Sequence, residues 1–183
     1  MPDYLPYKIA QPAEALAQGD ILLSFPLVDL PHRIDHPGRY EATVNVYDVI
    51  ILTQSCDLAR DKPKIDRVVV CPVCKLEYFV NENELFKHKS QKQKISLKNR
   101  LRQGAVVGFH LLMKPNIAPQ LDDFLVVDFR GTSSAPYHFL VDFASAMGPR
   151  LRLLPPYREH LSQAFARFFM RVGLPVDIPP FTR

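Results

Sequence analysis

A chain of 183 residues, 47% hydrophobic and 23% charged, has an ordinary globular composition and the length for one moderate core. Seventeen prolines against seven glycines exclude a simple helical bundle, because proline breaks helices and central strands. A formal charge of +4 leans toward an anionic partner, and three cysteines are too few for a disulfide scaffold.

No apolar run reaches the roughly 18 residues of a membrane span. The opening Met1-Pro2-Asp3-Tyr4-Leu5-Pro6 lacks the basic-then-apolar layout of a signal peptide. A cytoplasmic protein with reduced or metal-bound cysteines is therefore expected. Residues 13–18 offer a helical turn or two, and Gly19-Asp20 marks a turn before a strand over 21–28. Pro26 requires an edge, a bulge or the end of that strand. Residues 29–39 form a polar loop holding His32 and His36.

Val49, Ile50, Ile51 and Leu52 are four consecutive aliphatic residues, which suits a strand covered on both faces. The run stops in Thr53, Gln54, Ser55, Cys56 and Asp57, two hydroxyls, an amide, a thiol and a carboxylate in five positions. Residues 67–73 read as a second buried strand, and Leu76 to Val80 extends its apolar pattern until Asn81-Glu82-Asn83 breaks it. From 84 to 102 the composition shifts. Lys87, Lys89, Lys92, Lys94, Lys98, Arg100 and Arg102 occur with no acid among residues 87–102 and little apolar surface, which predicts a mobile or solvated basic loop.

Residues 105–113, 124–129 and 137–143 read as further strands, at spacings that suit an antiparallel barrel or a strongly bent sheet. The last element, over 157–172, is a helix: Leu161, Phe165, Phe168 and Val172 lie on one narrow face beside Ala164. Pro155-Pro156 marks its start, and Gly173 and Pro175 its stop. His160, Arg167 and Arg171 share one flank of the apolar stripe, with Arg158 on the other. The whole is expected to be one mainly β domain, a barrel over about 18–154 with one C-terminal amphipathic helix.

Gly19-Asp20-Ile21 opening a strand, the long loop, Val49–Thr53 running into a polar loop, and Val68-Val69-Val70-Cys71-Pro72-Val73 together resemble the start of the MazF/PemK family. The resemblance spans residues 18–76. It implies an SH3-like barrel and, in many members, a toxin that cleaves RNA. The family's arginine and proline before the central strand have no counterpart, since Asn45-Val46-Tyr47-Asp48 stands there. The resemblance thus implies the barrel without that ribonuclease chemistry.

Three functional readings follow. The leading one is a nucleic-acid-binding module, RNA-directed and from a toxin or defence context, with the Lys87–Arg102 cations neutralising phosphates and releasing counterions. A second centres on the Gln54-Ser55-Cys56-Asp57 loop, with Cys56 a nucleophile activated by His110 or His138. In its metal form Cys71 and Cys74, at CxxC spacing, join Cys56 and His88 or His110 around zinc. The third is a non-catalytic protein that dimerises through the C-terminal helix.

Overall fold

The computed structural model describes residues 5–31, 33, 38, 41–59, 64–118 and 121–170. Among these the chain forms eight strands: β1 (Tyr7–Ala10), β2 (Asp20–Asp29), β3 (Thr43–Ile51), β4 (Arg67–Lys75), β5 (Phe109–Leu112), β6 (Leu125–Asp128), β7 (Ser133–Pro136) and β8 (Arg150–Leu153). Four helices accompany them: α1 (Leu76–Glu82), α2 (Gln91–Arg102), α3 (Tyr137–Met147) and α4 (Tyr157–Phe169). All pairings are antiparallel, in the order β1-β8-β2-β3-β4-β6-β5, with β7 also on β4. The sheet is open, and no closed barrel forms among the described residues.

The aliphatic runs form the centre of this sheet, as their composition requires. Val49 and Ile51 pack on one face, Ile50 and Leu52 on the other, and all four are buried. β4 is the strand that joins the two halves. One edge pairs β3 through Val70–Pro72, while the other takes β7 along Arg67–Val70 and then β6 along Val73–Lys75. In β2 the register shifts between Leu22 and Phe25, and Ser24 there has φ +52°. Pro26 is tolerated because β8 covers the far edge of β2 only at Asp20 and Ile21.

Helices cover both faces. α3 buries Tyr137, Leu140 and Ala144 against Phe25, Val68 and Val70, whereas α4 buries Leu161 and lays Ala164, Phe165 and Phe168 on the opposite face. Phe129 meets Phe165 and Phe168 at centroid distances of 5.4 and 6.0 Å. The apolar stripe of α4 thus packs on its own sheet through Leu161, Ala164, Phe165 and Phe168, while Phe169 stays exposed. Val172, Gly173 and Pro175, expected to close this helix, lie outside the described residues, as do His32, His36 and Arg171.

The sequence expectations for the helices are also corrected. The helix content is not confined to the C-terminus. Residues 137–143 form the start of α3, not a strand: Tyr137, Leu140 and Ala144 recur at helical spacing, and tertiary burial outweighs the β-leaning Tyr-His-Phe-Leu-Val composition. Leu76 to Val80 forms α1, burying Leu76, Phe79 and Val80. The basic stretch is not a loop throughout, since residues 91–102 form α2, nucleated by a capping box in which Ser90 and Gln93 satisfy one another's backbone N–H groups.

At the other end of the sheet, a buried ionic knot ties the N-terminal segment to β8. Asp20 and Arg150 are fully buried, with Arg150 Nε 2.7 Å from Asp20 Oδ2. Arg152 also binds Asp20, and the two guanidinium groups donate to the carbonyls of Gln11, Glu14 and Ala15. Residues 13–18 consequently turn without forming a helix. Gly19, at φ +85°, precedes this knot where a Cβ would stand 2.9 Å from Leu153 Cβ.

Candidate nucleic-acid interface

α2 is held by two anchors and several polar tethers. Leu97 and Leu101, one turn apart, are buried in a cluster with Phe79, Val80, Phe109 and Val126. Lys98 pairs with Glu77, and Lys94 Nζ donates to Asn81 Oδ1 at 2.8 Å, so α1 fixes the rotation of α2. Lys87 pairs with Glu84 ahead of the helix. Lys89, Lys92, Arg100 and Arg102 are exposed, and among the described residues none makes an ion pair with a carboxylate.

The C-terminus of α2 leads into a cleft of about 520 Å³ between residues 101–111 and α4. Gly104 (φ +66°) and Gly108 (φ +89°) shape the connecting loop, and a Cβ at Gly108 would come 3.1 Å from Arg130 Cγ and 3.4 Å from Phe168. Arg102, His160, Gln163 and Arg167 stand exposed at the rim, while His110, Phe129 and Phe168 form a deeper floor. No aspartate or glutamate lines the cleft among the described residues. Nearby Arg130 is already engaged, bidentate on Asp128 and 4.2 Å over the Phe109 ring.

His110 lies near-parallel to Phe129, at 6.3 Å and 15°. Burial lowers its pKa to about 4, with the His160 imidazole adding to the same direction. At neutral pH it is uncharged, with one ring nitrogen a donor and the other an acceptor.

The Gln54–Asp57 loop is a tight turn tied to residue 18. Gln18 Nε2 donates to the Leu52 carbonyl (2.7 Å) and its backbone N–H to Ser55 Oγ (3.1 Å). Asp57 N–H closes on the Gln54 carbonyl at 3.0 Å. Cys56 is exposed, with Sγ 3.7 Å from Gln54 Oε1 and 3.6 Å from Asp57 Oδ1. Among the described residues no histidine is within hydrogen-bond reach of it. His138 is exposed at the start of α3, and His110 belongs to the cleft.

The cysteines do not converge. Cys71 and Cys74 lie on β4, where strand alternation turns residues three apart to opposite faces: Cys71 joins the α4-side core, Cys74 the core beneath α1 and α2. Burial pushes their thiols up to about 11 and about 12. Among the described residues no three His, Cys, Asp or Glu side chains gather as a metal site.

The basic segment and the His160–Arg167 flank are both visible in the sequence, but their meeting is not. Gln163, Gln103 and the Gly104–Gly108 loop enter the site only through the fold, although paired glycines after a helix are a signal for such a bend. Among the described residues no helix is long and apolar enough to cross a membrane. Compared with family models, with curated proteins and with solved structures, the chain matches none, so its function must be argued from this geometry.

Proposed function

We propose that the protein is a nucleic-acid-binding module whose contact surface runs from the basic face of α2 into the adjoining cleft. The observation that carries this reading is a rim of Arg102, His160, Gln163 and Arg167 with no carboxylate among the described lining residues. A carboxylate would repel phosphate and pair with the guanidinium groups. Without one, those cations are available for phosphate contacts, as are Lys89 and Lys92 along the helix. The MazF/PemK resemblance of residues 18–76 is the reason to put RNA first and to place the module in a toxin or defence context. An SH3-like arrangement belongs to the same proposal, and the consecutive antiparallel pairing of β2, β3 and β4 supports it.

The test is a filter-binding titration of the full chain with RNA and DNA over a range of salt. Replacing Lys89, Lys92, Arg102 and Arg167 by Gln should weaken binding. On a single strand it should also flatten the salt dependence, by about 0.7 in slope for each phosphate no longer neutralised. Unchanged affinity and slope would remove this surface from consideration.

A further inference from the structure

The cleft has two chemically distinct levels. Its rim is exposed and cationic, and its floor is aromatic, formed by Phe129, by Phe168 and by His110 stacked on Phe129. A surface meant only for a duplex backbone needs cations at phosphate spacing and no recess between them. This one adds a recess of about 520 Å³, within the ~300–1,000 Å³ of small-ligand sites. Bases paired within a helix cannot reach such a floor, whereas an unpaired base can leave the strand and stack on a ring.

We infer that the cleft seats one unpaired base of a single strand, with the ring stacked on Phe168, its edge toward His110 and Gln163, and the flanking phosphates against Arg102 and Arg167. This inference rests on the nucleic-acid reading above. Neutral His110 and the Gln163 amide each carry both a donor and an acceptor, so they can meet the hydrogen-bonding edge of a base without demanding one charge state. Stacking supplies affinity for any base, and those two side chains supply a modest preference among them. The phosphates stay at the rim in water, where the arginines remain solvated. Gly108 keeps the recess open, since any side chain there would press on Phe168 and Arg130.

The experiment titrates the full chain with a labelled RNA strand of roughly 10 nucleotides, the matching DNA strand and the duplex of each. A further arm crosslinks a strand carrying 4-thiouracil and maps the attached peptide. The single strand should bind at least about tenfold more tightly than its duplex. Crosslinks should fall on residues 107–111 or on α4, and Gln163→Trp, which fills the mouth from an exposed position, should bring the single strand down to duplex affinity with the thermal melt unchanged. The RNA and DNA arms then say which sugar is preferred. Equal affinity for strand and duplex, or crosslinks confined to α2, overturns the base-in-cleft inference while leaving the nucleic-acid reading intact. If neither strand nor duplex binds, the nucleic-acid reading fails and takes this one with it.

Discussion

Two kinds of residue hidden from water carry the plainest consequences of their surroundings. Burial holds His110 down to about 4 from 6.5, so as pH falls the unfolded chain takes up its proton first. The stability this group contributes is complete above pH 6.5, is lost between 6.5 and 4, and levels off below. The expected loss is about 3 kcal/mol across that window, and His110→Gln should remove that part of the pH dependence when urea unfolding is compared at about pH 7 and about pH 4.5. The cysteines divide in the same way. Cys71 and Cys74 are raised to about 11 and 12 within packed faces, whereas Cys56 is exposed. Mass spectrometry after brief alkylation of the native protein should therefore show one labelled thiol, Cys56, and all three only after denaturation. Early labelling of Cys71 would contradict the packing of β4. The CxxC spacing suggests chelation because two residues between thiols suits a loop or turn. On a strand the same spacing separates them, and the sequence alone does not reveal which backbone will carry it.

At the scale of elements, legibility follows how strongly each segment's pattern excludes alternatives. Val49–Leu52 and Val68–Val70 read correctly because short, β-branched aliphatic runs favour a strand with cover on both sides over a buried helix. α4 also reads correctly, its stripe being long and its proline boundary sharp. α2 is hidden because only Leu97 and Leu101 anchor it, too few to stand out among its five cations, although Ser90-x-x-Gln93 is a start signal in plain view. α3 is hidden because its aromatic and aliphatic residues fit either period over seven positions, and only the space over Phe25 and Val68 decides between them. The helices differ in what their loss would do. Leu161 is fully buried and Phe168 partly exposed, so Leu161→Ala should cost about 2–5 kcal/mol in chemical denaturation and Phe168→Ala less. Ser90→Ala should cost only about 1 kcal/mol and appear as faster amide exchange in the first turn of α2. If Leu161→Ala melts like the parent, α4 is not docked as described.

For the molecule as a whole, the deciding contact joins two distant parts of the sequence. Asp20 and Arg150 are separated by 130 positions, and both are fully buried. Nothing local in either segment announces the pairing, which explains why the knot escapes a reading that proceeds by windows. Removing one partner strands the other charge away from water, so Asp20→Asn should destabilise the fold by about 3–5 kcal/mol in urea unfolding, whereas Lys75→Gln at the exposed Asp122 pair should leave the unfolding midpoint nearly unchanged. A small effect of Asp20→Asn would mean that the backbone carbonyls alone satisfy Arg150. The position of β8 between β1 and β2 also sets an order of events on the ribosome. β2, β3 and β4 emerge early and can pair with one another, but β1 has no place in the sheet until residues 150–153 arrive. Until then the nascent chain presents the Asp20–Ile21 edge of β2 uncovered and the Asp20 carboxylate without its guanidinium partners. A chain stalled in synthesis before Arg150 would leave β1 unpaired and Asp20 without its guanidinium partners, and should be digested faster in limited proteolysis than the full protein.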